Sequence, residues 1–314
     1  MPTRATFWRT AKILLAVLLL AFVARNFSQI LGQVDWAALP APKPLFVLAA
    51  GLLYLLCHTI WGTYWVQLLR AQGVVVPWWI GQRAYFISQL GKYVPGKALV
   101  VLLRVSLMRG QNAKPTVVIV TGVYETLTSM AAGAILGAVL LPASGLIDAL
   151  SVNQRYGLFG LALLPLGLLG LNRLARRIVR KYAPAMNLPL PSLWFLLRGL
   201  ALDSLGWCCL ALSLWCVHSA WSETAVLLTA DRFTQSLGGV CVAYVIGFVV
   251  LVAPGGIGAR EWALALVLAT QLGDAGFAAV LALMLRVIWT SAELTYALVL
   301  ALAIRPHAAP AGAA

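Results

Sequence analysis

Two breaks rich in proline, glycine and charge interrupt long apolar stretches of this chain. The first reads Gly91-Lys92-Tyr93-Val94-Pro95-Gly96-Lys97, and the second Ala253-Pro254-Gly255-Gly256-Ile257-Gly258-Ala259-Arg260-Glu261. Each proline lies ten residues beyond a tyrosine, Tyr85 before Pro95 and Tyr244 before Pro254. Inside a bilayer, broken backbone leaves amide groups that no water can satisfy. Such breaks are tolerated only where protein covers them or where they line a wet cavity. Paired interruptions in two corresponding halves are also the sequence mark of a midplane binding site in transporters.

The surroundings of the breaks are those of an integral membrane protein. Apolar segments recur at 12–31, 44–69, 115–141, 156–172, 191–217, 234–252, 259–272 and 277–303, in a chain that is 62% hydrophobic and 10% charged. No polar stretch between them is long enough for a separate soluble domain. The formal charge of +14 gathers in short loops, as the positive-inside rule requires, and favours anionic lipid surfaces. No nucleic-acid motif accompanies it, so nucleic-acid binding is not expected. Cys57, Cys208, Cys209, Cys216 and Cys241 lie in apolar segments without a CxxC pair, which argues against a disulfide framework or a zinc site. Residues 1–24 imitate a signal peptide, but the apolar spans that follow favour an uncleaved first helix.

Loop charges set the expected orientation. Arg4, Arg9 and Lys12 place the N-terminus in the cytoplasm, Arg173, Arg176, Arg177, Arg180 and Lys181 mark a cytoplasmic loop, and Arg305 returns the C-terminus there. The first break then becomes a hairpin entering from the cytoplasmic side, between Arg83 and Lys114, and the second a hairpin over 234–272 entering from outside. The expectation is an all-α polytopic protein of six full spans and two re-entrant hairpins. Its units 44–141 and 191–303 repeat with inverted topology within one membrane domain, 1–305, and a disordered tail, 306–314, follows. The alternative makes each hairpin a pair of short crossing helices, or Pro-Gly a kink in one span. Residues 173–183 read either as a basic interfacial helix or as a solvated topology marker.

Ionisable groups in membrane helices cost about 2.5–3.5 kcal/mol each on insertion scales and face the bundle interior. Thr121, Glu125, Thr128 and Ser129 form one polar stripe at helical spacing, and Arg286, Trp289, Thr290 and Glu293 another. Each stripe either lines a central cavity or serves as interhelical glue, at about 0.6 kcal/mol per contact. Arg198 is close enough to the cytoplasmic end of its span to snorkel. Asp203 is deeper, and an arginine partner is its structural alternative. A helix opening just after a Pro-Gly turn offers free amides and a positive dipole end. Lys97 and Arg104 at one break, and Arg260 at the other, suit both to phosphate or carboxylate. Glu261 either tempers Arg260 or takes a cationic headgroup. Gly255, Gly256 and Gly258 lack the βαβ setting of a nucleotide loop. His58, His218 and His307 show no catalytic spacing and no nucleophile elbow is present, so no catalytic residue, metal or cofactor is expected. His58 reads as a hydrogen-bonded packing residue.

At these motifs the chain resembles the lysylphosphatidylglycerol synthase transmembrane-region family. That family includes the flippase portion of the bacterial multiple peptide resistance factor and many stand-alone membrane proteins. The resemblance is carried by Pro254-Gly255-Gly256-Ile257-Gly258-Ala259-Arg260-Glu261. Gly91-Lys92-Tyr93-Val94-Pro95-Gly96-Lys97 with Arg104, and the intramembrane Glu125, add support. Family members often carry Glu-Arg where this chain has Glu125-Thr126. No soluble aminoacyl-transfer domain is expected after Arg305, so the synthase activity of the family name is not carried over. The resemblance implies a bacterial-type inner-membrane protein that handles a phospholipid or lipid-linked substrate and moves it between leaflets. The expected substrate-binding set is Lys97, Arg104, Glu125, Pro254, Gly255, Gly256, Gly258, Arg260, Glu261, Arg286 and Glu293. The alternatives are a membrane-embedded subunit of a lipid or glycolipid synthesis or transfer enzyme, and a scaffold for a separate synthase or transferase.

Overall fold

Proline, glycine and short polar side chains set the helix ends. Helix α1 (Pro44–Ala71) opens with proline at its first position, where a missing N–H costs nothing. Helices α2 (Trp78–Gln89) and α3 (Ala98–Leu107) follow, with a short 3-10 turn, Leu90–Tyr93, after α2. Helix α4 (Pro115–Leu140) again begins on proline. Helix α5 (Leu193–Ala220) is capped by Ser192, whose hydroxyl accepts the Phe195 N–H at 3.2 Å. After α6 (Ala230–Val249), helix α7 (Ala259–Leu272) starts at Gly258, which has φ +88° and whose N–H donates to the Glu261 carboxylate at 2.6 Å. A left-handed Gly273 closes α7, and Asp274 then caps α8 (Ala275–Ala303) by accepting the Phe277 N–H at 2.9 Å.

The computed structural model describes residues 39–93, 98–140, 191–249 and 258–303, with the single positions 32, 37, 170 and 173. The expected span at 12–31, all of 156–172 but position 170, all of 173–183 but position 173, and the 306–314 tail lie outside the described residues. So do Lys97, Pro254, Gly255 and Gly256. Among the described residues the regular elements are all helical. Five of them, α1, α4, α5, α6 and α8, are long and apolar enough to cross a bilayer. The 12 residues of α2, 10 of α3 and 14 of α7 fall short of the roughly 20 needed. Helix α6, which the sequence reading gave to one arm of the second hairpin, has 20 residues and can cross by length.

The helices are apolar outside and polar within. Leu45, Leu48, Leu52 and Leu56 make an exposed stripe along α1, and Leu294, Leu298 and Leu302 do the same along α8. Glu125, Asp203 and Glu293 point the other way and are at most 2% exposed. Close helix approach is bought with glycine. A Cβ on Gly133 would strike the Trp207 indole of α5, and one on Gly62 would strike Gln82 and Tyr85 of α2.

The helix pairings follow one pattern twice. The most extensive contact joins α1 to α5. Around it α1 packs on α2, α4 and α8, while α5 packs on α6, α8 and α4. Likewise α2·α8 is matched by α6·α4, α2·α3 by α6·α7, and α3·α4 by α7·α8. Exchanging α1–α4 with α5–α8 thus maps the α1·α5 contact onto itself and each other principal pairing onto another.

Candidate functional site

The arms beyond the two breaks present arginines in the same manner. Arg104, on α3, lies with its guanidinium 4.6 Å from the Trp65 ring centre and 4.8 Å from that of Tyr85. Arg260, at the start of α7, lies 4.2 Å from the Tyr244 ring and 5.8 Å from Trp289. Each cation therefore stacks on the tyrosine that precedes its own break by ten residues. Ring faces hold a desolvated guanidinium while leaving its N–H edge available. Each also crosses a glycine: a Cβ on Gly122 would come within 3.3 Å of Arg104, and one on Gly247 within 2.8 Å of Arg260.

Three buried carboxylates accompany the cations. Glu125 takes an ion pair from Arg104 at 3.1 Å and a hydrogen bond from the Tyr85 hydroxyl at 3.1 Å. The ε-nitrogen of Arg104 also donates to Ser88. The arginine partner of Glu125 thus comes from the neighbouring helix α3. Glu293 is fully buried and pairs with Lys92 at 2.7 Å, while Tyr54 and Tyr93 donate to it at 3.1 and 2.9 Å. Glu261 caps its own helix and lies 3.5 Å from both Arg260 and Arg286. Of the two readings of Glu261, the tempering of Arg260 matches this geometry. Arg286 also sits over the Tyr93 ring at 5.5 Å.

Part of this set borders a cavity of about 330 Å³. Lys92, Arg104, Arg260 and Glu125 face it, making three cations to one carboxylate among the described lining residues. Its remaining wall includes Val100, Val101, Ile119 and Val123, of which the last two are 40% and 42% exposed on the outer face of α4. The cavity is thus polar at depth and apolar towards its rim. Arg286 does not line it; with Arg260, Glu261 and Trp289 it borders a separate, water-sized crevice. Glu293 stands behind Lys92 and reaches neither space.

The two polar stripes divide their work. From the first, Glu125 and Ser129 reach the cavity. Thr121 accepts the Trp65 indole N–H at 3.2 Å, and the Ser129 carbonyl accepts that of Trp207 at 2.9 Å. From the second, Trp289 donates to Ser213 at 2.8 Å, tying α8 to α5. His58 packs among Tyr54, Trp61 and Phe86, with Nδ1 3.1 Å from the Tyr54 carbonyl, and one edge meets the cavity. Lys92 and Tyr93 were legible as parts of the first break, but nothing in their spacing named Glu293 as their partner.

Among curated proteins none matches this chain. The family model described as "Lysylphosphatidylglycerol synthase TM region" matches residues 9–303, nearly the whole length. The chain is therefore a multi-pass membrane protein of the lysylphosphatidylglycerol synthase transmembrane-region family.

Proposed function

We propose that the protein binds a lipid or lipid-linked substrate by its phosphate-bearing headgroup in this cavity and moves it between leaflets. The observation that carries the reading is a cavity with three cations at depth and an apolar rim on the exposed face of α4. A phosphate entering it meets two guanidiniums already held on aromatic faces, so little ordering is needed on binding. Acyl chains stay alongside Ile119 and Val123. Arg104 is shared between Glu125 and the incoming phosphate, so release from one accompanies engagement of the other.

The paired pattern of helix contacts supports motion of one unit against the other about the α1–α5 contact, with the broken hairpins as gates. Inverted repeats in transporters work in this way around a central site. In this reading the membrane is a bacterial-type inner membrane, with both termini cytoplasmic.

Two measurements test the reading together. Native mass spectrometry of the gently purified protein is expected to retain a phosphate-bearing lipid. Proteoliposomes are expected to exchange a fluorescent phosphatidylglycerol analogue between leaflets faster than protein-free vesicles. Absence of both overturns it.

A further inference from the structure

Asp203 takes no part in the cavity contacts. It is the eleventh residue of the 28-residue α5, about 15 Å from the helix start at 1.5 Å per residue. It is 0% exposed, and neither carboxyl oxygen has a hydrogen-bond partner. The arginine partner that the sequence left open for it is not found among the described residues. Among the described residues the charged neighbour is Glu125 of α4, of the same sign, and Cys57 and Tyr64 of α1 and Tyr85 of α2 stand near it without a positive charge. From α6 and α8, among the described residues, no cation is brought to it.

Its position is at the central helix contact. Gly199, Asp203 and Gly206 fall at i, i+4 and i+7, on one face of α5. A Cβ at Gly199 would collide with Tyr64, and one at Gly206 with Trp61, so this is the face that α1 covers. Trp61 donates its indole N–H to the Asp203 main-chain carbonyl at 3.2 Å and also lines the cavity, so it touches both the Asp203 turn of α5 and the proposed substrate space. A bare carboxylate enclosed without a cation or donor is unstable in so dry a place, whereas a neutral carboxyl is tolerated. The tight α1–α5 packing therefore favours the neutral carboxyl at Asp203.

We propose that Asp203 is a proton-binding site that couples proton movement to the rearrangement of the two helical units; this rests on the lipid-translocation reading above. In the packed arrangement the carboxyl keeps its O–H bond. When motion about the α1–α5 contact loosens the packing around Asp203 and water enters, that bond breaks, the proton passes to water, and a hydrated carboxylate remains. Repacking returns one proton. Each cycle thus binds and releases a single proton, taken from and given to whichever side the opening faces.

The test uses the full chain in vesicles of phosphatidylethanolamine and phosphatidylglycerol, with an entrapped pH-sensitive dye and a fluorescent phosphatidylglycerol analogue. Wild-type exchange is expected to move protons and to change by up to about tenfold per pH unit, the limit for one proton. Asp203→Asn keeps the shape but cannot titrate, so it is expected to abolish proton flux and flatten the pH profile; Asp203→Ser replaces it if the asparagine variant does not fold. Infrared spectra supply a second readout: a protonated-carboxyl band present in wild type and missing from the variant. Lipid exchange without proton flux, a variant with the wild-type pH profile, or a spectrum without that band overturns the coupling alone. Absence of lipid exchange by wild type at every pH overturns the translocation reading, and the coupling with it.

Discussion

Removing Arg260 is the sharpest perturbation of the proposed site. Its guanidinium is held by the Tyr244 ring at 4.2 Å and by Glu261 at 3.5 Å, and it lines the cavity. After Arg260→Ala, Glu261 still accepts the Gly258 N–H and still faces Arg286 at 3.5 Å, so no carboxylate is left bare and the fold is expected to survive. What is lost is a charge-assisted hydrogen bond to phosphate, worth about 1.5–3 kcal/mol. That corresponds to roughly 10- to 140-fold weaker headgroup binding. Arg260→Lys keeps the charge but not the planar fork, and its expected place is between the two. Arg286→Ala is the control, because Arg286 lines only the adjacent crevice. Lipid occupancy by native mass spectrometry and leaflet exchange in proteoliposomes are the assays. An Arg260→Ala protein with wild-type occupancy and wild-type exchange would refute the site.

Glu125→Gln removes the charge that Arg104 meets at 3.1 Å in a setting only 2–3% exposed. A broken buried pair costs about 3–5 kcal/mol, softened here by the Trp65 and Tyr85 faces. The single variant is expected to melt earlier in detergent, and Arg104→Met combined with it to regain part of the loss; simple additivity would count against a coupled pair. Gly206→Ala drives a methyl into Trp61 and is expected to cost about 1–3 kcal/mol. Gly73→Ala, at φ +80° with open space around it, is expected to cost less than that in the same melting assay. For topology, single cysteines at the exposed Val75 and Asn112 are expected to label from one side of the membrane, and cysteines at Asp231 and Asp274 from the other. Labelling of either pair from opposite sides would defeat the hairpin reading.

Much of the helical layout was legible because membrane helices announce themselves by length and apolarity. The apolar segments at 44–69, 115–141 and 259–272 have ends that the structure places within about two residues. Tyr85 and Tyr244 stood out by spacing alone, and both lie under arginines. The partners were not legible. Lys92 meets Glu293 across 201 positions of sequence, and Arg104 reaches Glu125 from a different helix. Neither pairing has a local period, because only the packing of α3 on α4 and of the first break on α8 creates it. For the same reason a polar stripe could not be divided between glue and cavity: Thr121 and Glu125 are one helical turn apart, yet one serves an indole and the other an arginine.

The twofold repetition of helix pairings also bears on direction. A scaffold whose halves exchange roles has two outward forms of nearly equal free energy, separated only by the differences between corresponding side chains. Such a frame carries no intrinsic preference for loading from one face. In the proposed translocation net flux then follows the gradient imposed on it, and among the described residues the halves differ at Asp203 on α5, Lys92 at one break and the Arg286–Glu261 contact at the other.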